Sequence, residues 1–559
     1  MAVSHSEAAM RFLNLIPRPG RYVGAEVNAA GRDWNSARVR LCLCFPDTYE
    51  VGMSNLGLRI LYGTVNNAGS YLAERVFIPD PEAEAGFRQH HEGLWSLESR
   101  HSLRDFDLIG VGLASELSYT NLLTLLSLAG LPRLSKDRTE TDPIVLAGGN
   151  GALTPEPLAP FVDAFFMGEA DTAILGIMSA LERIRGGRRR EKLLELARLE
   201  GVYVPAFYRP EYDADGDYLG LTGLETSASP RIRRVTVSDL EAVPFPTDWL
   251  VPYLPVIHDR VTLEIMRGCV HRCLFCQARV IYGPCRVRSP EKLVDLADRA
   301  LLKTGYEEIS LLSLSSGDYP RLKKLLAGLR FVCEKHRARF SFPSLRVDSL
   351  DLEQVRTEFG RKPPALTFAP ESSEACRFRL GKRITDAQIL EKAAAASQAG
   401  WRHLKLYFML GLPGEEESDL RAIVVLIREL SRRLAVNVSF NTFIPKPYTP
   451  LERADLINRE AFEVRSQILR RELRGVRSLK LDFHAYEQSR LEALLCRGDR
   501  RVGRVIEEAW ENGCRFDAYR EHFHPELWEK AWLDCGLDPD RFLFKQSRRR
   551  VLPWNHIVI

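Results

Sequence analysis

Three cysteines at a short fixed spacing are the residues of this sequence best suited to chemistry. Cys269, Cys273 and Cys276 form a Cys-x3-Cys-x2-Cys triplet. Thiolates at this spacing can bind three irons of one cuboidal iron-sulfur cluster and leave the fourth iron open. With 11 cysteines in 559 residues, chance would give this pattern about 0.004 times per chain. The triplet therefore indicates a cluster site.

Two other uses of these cysteines are open. His271 could complete a zinc site, but it lies between the first two cysteines, where a tetrahedral centre would be cramped, so a cluster is favoured. Disulfides are disfavoured because the number of cysteines is odd and the others are scattered, and an oxidising compartment is not indicated. The other cysteines are Cys42, Cys44, Cys285, Cys333, Cys376, Cys496, Cys514 and Cys535.

The elements that must position the triplet are strands that alternate with helices. Residues 261–266 are predicted to form a strand, and Arg267 and Gly268 turn the chain into the cysteine loop. The alternation continues to about residue 450, which predicts parallel strands with the active residues at their carboxyl ends. Further strands are predicted over residues 308–314, 340–346, 365–368, 405–409 and 438–443.

Residues 1–195 show a similar alternation, which predicts a doubly wound parallel sheet. Ligands of such sheets lie at the carboxyl ends of the strands. Glycines in the loops at 148–151 and 168–171 would let a large ligand approach the backbone. Strands are predicted over residues 39–45, 75–78, 108–113, 144–147 and 164–167, and helices over 56–65, 119–129 and 173–184.

The cysteine segment resembles the radical S-adenosylmethionine (SAM) superfamily, in which the triplet follows the first strand of a partial barrel and an aromatic residue precedes the last cysteine. The resemblance implies a 4Fe-4S cluster whose open iron chelates SAM, and whose electron cleaves SAM to a 5'-deoxyadenosyl radical. It also implies an electron donor such as flavodoxin or ferredoxin. The residues that it places against SAM are Phe275, Ser316, Gly317, Asp318, Glu371 and Ser372.

Residues 147–157 and 162–171 resemble the end of the cobalamin-binding domain that precedes many radical SAM barrels, which implies cobalamin as a further cofactor. The Asp-x-His-x-x-Gly motif that places a histidine beneath cobalt in other proteins is absent. The lower face of a bound cobalamin is therefore not expected to be ligated by histidine. The resemblance places Ser115, Gly148, Gly149, Gly168 and Glu169 in the pocket.

Short sequence segments along nearly the whole chain resemble a bacterial family of B12-binding-type radical SAM proteins. The implied fold is α/β: an N-terminal doubly wound, Rossmann-like parallel sheet, a partial (β/α)6 radical SAM barrel and a mostly helical C-terminal tail. A companion domain or subunit is expected after the C-terminus, because family members often continue there. The boundaries are a cobalamin-binding-like domain at 1–195, a connector with short strands at 196–256, the barrel at 257–454 and the tail at 455–559.

Residues 444–450 resemble a segment of the tRNA and ribosomal-protein methylthiotransferases. Those enzymes carry three extra cysteines in their N-terminal domain for a second cluster, whereas only Cys42 and Cys44 precede residue 269 here. These two alternate on one strand face, which favours core packing. Methylthiolation is therefore disfavoured.

Charge and composition limit the possible partners. A formal net charge of +4 with interspersed acids and bases argues against binding nucleic acid over the whole surface but allows local basic patches. Residues 465–480 contain five arginines and one lysine, so RNA remains a possible partner. No secretory signal or membrane span is expected, and the protein is expected to be cytoplasmic.

Three functions are consistent with these features. The favoured one is cobalamin-dependent methyl transfer to an unactivated carbon, in which the radical abstracts hydrogen and methylcobalamin supplies the methyl group. The second keeps the radical barrel but assigns a rearrangement, cyclisation or sulfur insertion. The third, from another class, is a cofactor-binding sensor or assembly protein that does not turn over. Nothing in the sequence identifies the substrate.

Overall fold

The computed structural model describes residues 11–341, 366–544 and 550–559. Its first sheet contains β1 (Val39–Phe45), β2 (Tyr71–Phe77), β3 (Leu108–Gly112), β4 (Ile144–Gly148), β5 (Ala164–Phe166) and β6 (Val202–Tyr203). The order is β2-β1-β3-β4-β5-β6. The first five strands are parallel and β6 is antiparallel to β5. The predicted parallel sheet is confirmed.

The residues of β1 show why this sheet could be predicted from the sequence. Six of its seven residues are buried, including Cys42 and Cys44. A parallel strand covered on both faces is a nearly continuous apolar run rather than an alternating one. The helices of this part are α1 (Tyr49–Gly52), α2 (Leu56–Asn67), α3 (Pro81–Gln89), α4 (Tyr119–Leu128), α5 (Ala173–Arg183) and α6 (Arg189–Ala197).

A connector joins this sheet to the barrel. It contains an antiparallel hairpin of β7 (Tyr208–Tyr212) and β8 (Tyr218–Gly223), as the predicted short strands suggested. It then forms β9 (Ile232–Arg233), which pairs in parallel with a strand at residues 557–558 from the far end of the chain. The sequence analysis did not foresee this pairing, because two-residue strands carry no periodicity.

The barrel region contains β10 (Val261–Glu264), β11 (Met266–Arg267), β12 (Arg286–Val287), β13 (Glu308–Leu312), β14 (Arg339–Ser341), β15 (Leu366–Glu371), β16 (His403–Leu410), β17 (Ala435–Thr442) and β18 (Leu479–Phe483). The parallel ladders are β10-β13-β14 and β15-β16-β17-β18, while β11 and β12 form a small antiparallel pair. The predicted strand at 340–346 lies outside the described residues beyond Ser341, as does residue 365.

Strand β18 differs from the prediction, which placed residues 455–559 in a mostly helical tail after six barrel strands. Leu479–Phe483 pairs in parallel with β17 and adds a seventh strand. Its apolar residues are half-buried while Lys480 and Asp482 are exposed. An alternation over five residues is too short to distinguish from the end of the preceding basic helix.

Helices complete the barrel and the tail. Tail residues contact the first part of the chain, since Trp510 Nε1 donates to Thr124 Oγ1 at 2.9 Å and Tyr519 donates to Asp47 at 2.8 Å. No helix in the described ranges is long and apolar enough to cross a membrane. The remaining helices are α7 (Gln277–Ile281), α8 (Pro290–Thr304), α9 (Leu322–His336), α10 (Glu374–Arg379), α11 (Asp386–Gln398), α12 (Glu417–Ser431), α13 (Arg459–Glu472), α14 (Tyr486–Arg497), α15 (Val502–Glu511), α16 (Pro525–Asp534), α17 (Asp540–Leu543), and the last strand is β19 (Ile557–Val558).

Candidate functional site

The cysteine loop begins immediately after β11. Gly268 adopts a φ of 89°, and a Cβ there would lie 2.6 Å from the Pro284 carbonyl oxygen, so only glycine fits this turn. Cys276 occupies the position before the first residue of α7. Cys273 is buried, whereas the other two thiols are half-buried. The loop thus presents its cysteines at the end of the first barrel strand, where a radical SAM cluster would be expected.

The surroundings of the cysteine loop contain no preformed site for a single metal ion among the described residues. Within the described ranges, no three His, Cys, Asp or Glu side chains converge on a single-ion site. A cuboidal cluster places each thiolate on a different iron, so its ligands need not converge on one point. His271, considered above for zinc, instead lies with Nε2 at 2.7 Å from Asp318 Oδ2.

Residues predicted to contact SAM surround this loop. Ser316, Gly317 and Asp318 form a single 3-10 turn after β13, and the His271 contact holds that turn against the cysteine loop. A second carboxylate, that of Glu371, lies at the end of β15 and accepts from Lys382 Nζ at 2.8 Å.

The segment around Lys382 also reaches the cysteine loop. Leu274 N–H donates to the Leu380 carbonyl oxygen at 2.9 Å. A Cβ on Gly381 would lie 2.6 Å from the Arg272 carbonyl oxygen, so the two loops are in close backbone contact. Ser372 is fully buried at the beginning of the same segment, and Phe275 packs in a small apolar cluster with residues that include Leu380. The tertiary structure therefore brings the predicted SAM residues around the cysteine loop.

Arg267, immediately before the loop, joins the barrel to the first sheet. Its guanidinium contacts Asp171 at 2.8 and 2.9 Å, Glu264 at 2.8 Å and Glu169 at 3.3 Å. Arg286 of β12 binds both oxygens of Glu169 at 2.7 and 2.8 Å. Burial would raise the pKa of Asp171, but Arg267 outweighs burial and lowers that pKa below its usual value. The two parts of the chain therefore meet through buried ion pairs beside the cysteine loop.

A cavity of about 360 Å³ lies where the first sheet meets the barrel. This size lies at the lower end of the range of small-molecule sites, so a molecule as large as cobalamin would extend beyond the cavity. Four of the five residues predicted to line a cobalamin pocket do line it. Ser115 does not line the cavity, because its hydroxyl accepts from the Leu117 N–H at 3.2 Å and caps a turn. The four are Gly148, Gly149, Gly168 and Glu169.

Several lining residues were missed by the sequence analysis. Tyr282 donates to Asn150 Oδ1 at 2.8 Å across the cavity wall, and Arg267, Asp171 and Glu264 contribute charge. The one usable signal for Arg267 was its position next to the cysteines. Asn150 and Asp171 lie in the predicted glycine loops at 148–151 and 168–171, whereas Tyr282 and Glu264 come from the barrel and become their neighbours only when the domains dock.

The cavity glycines have two different roles, which corrects the expectation that all make room for a ligand. Gly149 and Gly168 have φ values of 94° and 126°, and their Cβ atoms would lie 2.5 Å and 2.2 Å from the Leu113 and Val235 carbonyl oxygens. Those two glycines serve the backbone packing of the protein itself. A Cβ on Gly148 would meet no protein atom closer than 3.9 Å, so this glycine does leave room for a ligand.

Glu415 is a buried acid in the turn after β16. Its Oε2 accepts from the Gly411 N–H at 2.8 Å and from Arg465 Nε at 3.2 Å. Burial raises the pKa of Glu415 to about 7 although both donors oppose the shift. This part of the barrel therefore contains a carboxyl group that titrates near neutral pH.

We expect Glu415→Gln to stabilise the protein at about pH 8 and to have little effect at about pH 5. Because the folded pKa of about 7 exceeds the unfolded value, the contribution of this group to stability is fully present below about pH 4.3 and is lost as pH rises through 7. The free energy of unfolding should rise by about 2 to 3 kcal/mol at about pH 8. Calorimetric unfolding at both pH values measures this, with exposed Glu417→Gln as control. An equal destabilisation at both pH values would contradict the raised pKa.

The two cysteines outside the triplet that could have supported a second cluster are not available for one. Cys42 and Cys44 are 0% and 1% exposed, and burial raises the pKa of both thiols. They pack in the core, as the sequence analysis inferred.

Comparison with family models gives two matches. The model for the "Radical SAM superfamily" matches residues 263–427, and that for "Radical SAM proteins, N-terminal" matches residues 57–205. The first match contains the cysteine loop, and the second contains all the glycines that line the cavity.

Two individual proteins are similar to this chain in sequence. An uncharacterized protein of Methanocaldococcus jannaschii is 25% identical over 481 residues, 84% of this chain and 90% of its own length. The ribosomal protein uS12 methylthiotransferase RimO of Moorella thermoacetica is 30% identical over 173 residues, only 29% of this chain and 39% of that protein.

Among solved structures, the radical S-adenosylmethionine methyltransferase TsrM from Kitasatospora setae, with cobalamin and a 4Fe-4S cluster bound, matches with a TM-score of 0.50 and 14% identity. The match covers 75% of this chain and 77% of TsrM. The likeness confirms the predicted fold class of an N-terminal sheet followed by a radical SAM barrel.

Proposed function

This chain is an enzyme of the radical SAM superfamily, and we propose that it is a cobalamin-dependent member that transfers a methyl group to an unactivated carbon. The observation that carries the proposal is the position of the cavity. It lies against the first barrel strand, and Arg267 belongs both to its wall and to the approach to the cysteine loop. One side chain thus separates the two places where cofactors would be held.

The residues present fit both groups. Cys269, Cys273 and Cys276 would hold the cluster, and the Asp318 and Glu371 carboxylates lie around it to receive the polar end of SAM. When bound, the cluster would supply an electron to SAM, and cobalamin would supply the methyl group. The chain would hold, orient and shield these groups.

The first sheet suits a cobalamin without a protein histidine beneath it. The cavity lies at the carboxyl ends of β1, β3, β4 and β5, where parallel sheets bind ligands. No histidine appears among the described residues that line it. The solved structure of TsrM, which contains cobalamin, matches 75% of this chain and so covers parts of both the sheet and the barrel.

A reducing environment and an electron donor complete the proposal. The cysteines within the described residues form no disulfide, and an oxygen-sensitive cluster would be compatible with the reducing cytoplasm. A flavodoxin or ferredoxin is the class of donor that would supply single electrons.

Anaerobic reconstitution tests the cofactors. The full chain is treated with iron and sulfide, incubated with hydroxocobalamin, desalted and measured for iron and absorbance. We expect about four irons and one retained cobalamin per chain. Iron without cobalamin would refute the cobalamin part of the proposal and favour another radical reaction.

Turnover tests the reaction class. With SAM and a reduced flavodoxin, we expect 5'-deoxyadenosine, and with a methyl acceptor also S-adenosylhomocysteine and a product heavier by one methyl group. Deoxyadenosine with a different mass change would assign a rearrangement, a cyclisation or sulfur insertion. If the cluster is reconstituted but SAM is not cleaved, even with candidate acceptors present, the result would favour a protein that binds cofactors without turnover.

A further inference from the structure

The amino ends of three neighbouring barrel strands carry a row of cations. Arg402, Arg433 and Arg477 precede β16, β17 and β18, and all three are exposed. The backbones are adjacent, because the Ala435 N–H donates to the Arg402 carbonyl at 2.9 Å and the Val436 N–H donates to the Ser478 carbonyl at 2.8 Å. Neighbouring strands lie about 4.8 Å apart. Three arginines therefore line one short edge of the sheet.

Two lysines extend this row onto the exposed face of the sheet. Lys405 and Lys480 lie on either side of Asn437 in the parallel register. Leu404 and Leu406, the neighbours of Lys405, are buried, so the lysine belongs to the face opposite the helices. We call Arg402, Lys405, Arg433, Arg477 and Lys480 the basic edge.

The charge of the basic edge is not compensated internally. None of its five side chains forms an ion pair with any residue that the structure describes. By contrast, other cations of the predicted basic segment are engaged: Arg465 with Glu415 and Arg471 with Glu472. The one acid on the exposed face of β18 is Asp482. The edge thus has an excess of positive charge in water, which attracts phosphates.

The exposed sheet face beside the basic edge is polar. Tyr407 is half-buried, and Lys405 Nζ lies 4.7 Å from the centre of its ring. Asn437, Ser439 and Asn441 alternate along β17 on the same face, opposite buried Val436, Val438 and Phe440. An aromatic ring can stack a base, and the amides and hydroxyl can hydrogen-bond a nucleotide.

We propose that the basic edge binds the backbone phosphates of single-stranded RNA and guides a nucleotide along this face toward the cysteine loop. Lys405 and Met409 on β16 are separated by about 13 Å along the strand, a distance that a few nucleotides cover. Stacking on Tyr407 needs an unpaired base, which favours a single strand over a duplex. The hydrogen-bonding groups of β17 suit the 2'-hydroxyl, which donates and accepts, and so favour RNA over DNA.

The inference that the bound RNA accepts the methyl group rests on the proposed function, whereas the inference that RNA binds does not. Binding can therefore be measured without cofactors, and its failure is distinguishable from a failure to retain cobalamin. The full chain is titrated into a fluorescein-labelled RNA of roughly 20 nucleotides, and anisotropy is recorded over a range of KCl concentrations. If all five cations contact phosphates, the slope of log K against log salt should be about −3.5.

The variants test whether RNA binding depends on the basic edge or on the overall positive charge of the protein. We expect the triple variant Arg402→Gln, Arg433→Gln, Arg477→Gln to make the slope shallower by about 2 and to lower affinity at about 50 mM KCl at least tenfold. The control removes three exposed cations near the first sheet through Lys136→Gln, Arg185→Gln and Arg231→Gln, and should change neither quantity. Tyr407→Leu should weaken binding by several-fold with an unchanged slope.

Three results would overturn the proposal. The first is absence of RNA binding at low salt, including the case in which the protein binds phosphatidylserine vesicles but no RNA. The second is an equal loss in the control triple variant. The third is equal affinity for DNA of the same sequence, which would refute the commitment to RNA. Circular dichroism and reconstituted iron content confirm that each variant is folded.

Discussion

Replacing Cys273 by alanine should abolish cluster assembly and SAM cleavage while the first sheet stays folded. Cys273 is the middle cysteine of the triplet and the buried one. Without it, only two cysteine ligands remain on a loop that must hold three irons. Iron after reconstitution and desalting should fall from about four per chain to near zero, and 5'-deoxyadenosine should not form.

The matched control is Cys333→Ala, which removes a buried thiol from α9 of the same barrel. This variant should retain full iron, because its cysteine packs in the hydrophobic core beside α8 and not at the cysteine loop. Circular dichroism and retained cobalamin report on the first sheet in both variants. Full iron and SAM cleavage in Cys273→Ala would show that the triplet does not hold the cluster.

Gly148→Val is expected to prevent cobalamin retention without affecting the cluster. Gly148 ends β4 at the cavity, and a Cβ there meets no protein atom closer than 3.9 Å. Valine is a good strand former, so the fold should tolerate it, while its methyl groups would occupy space that a ligand needs. Cobalamin retained after desalting should fall at least tenfold, with iron unchanged.

Gly176→Val is the matched control for this substitution. Gly176 lies on α5 of the same domain, is exposed and has open space around its Cβ. The control should retain cobalamin like the parent chain. If Gly148→Val also retained it, the cofactor would not lie against the end of β4, and the cavity would have another ligand.

The cysteine triplet and the cavity differ in how far the sequence could predict them. The cysteine triplet is a local pattern, and Gly268 beside it is a local requirement of a turn with positive φ. Such features depend on a few consecutive residues. The cavity instead depends on Glu169 and Asp171 meeting Arg286 and Arg267, pairs that are 117 and 96 residues apart. Those partners cannot be paired before the sheet and the barrel dock.

The same distinction applies to the strands. Sequence alone determined the buried strand Val39–Phe45, because a strand covered on both faces is continuously apolar. It also determined the order of a parallel sheet followed by a barrel, since each unit repeats the alternation of strand and helix. The strand Leu479–Phe483 was not predicted within the mostly helical tail, because its identity as a strand comes from pairing with β17 and not from its own short pattern.

From short-range spacing and periodicity, the sequence by itself therefore determined the class of fold and the superfamily, and it predicted the three cysteines that would hold the cluster. Only the tertiary structure decided that Gly149 and Gly168 serve backbone packing, that Ser115 caps a turn and does not line the cavity, and that five cations share one edge. Each of these depends on atoms from separate segments that come within a few ångströms. The packing of the first sheet, the barrel and their connecting segments sets those distances, and no local sequence pattern encodes them.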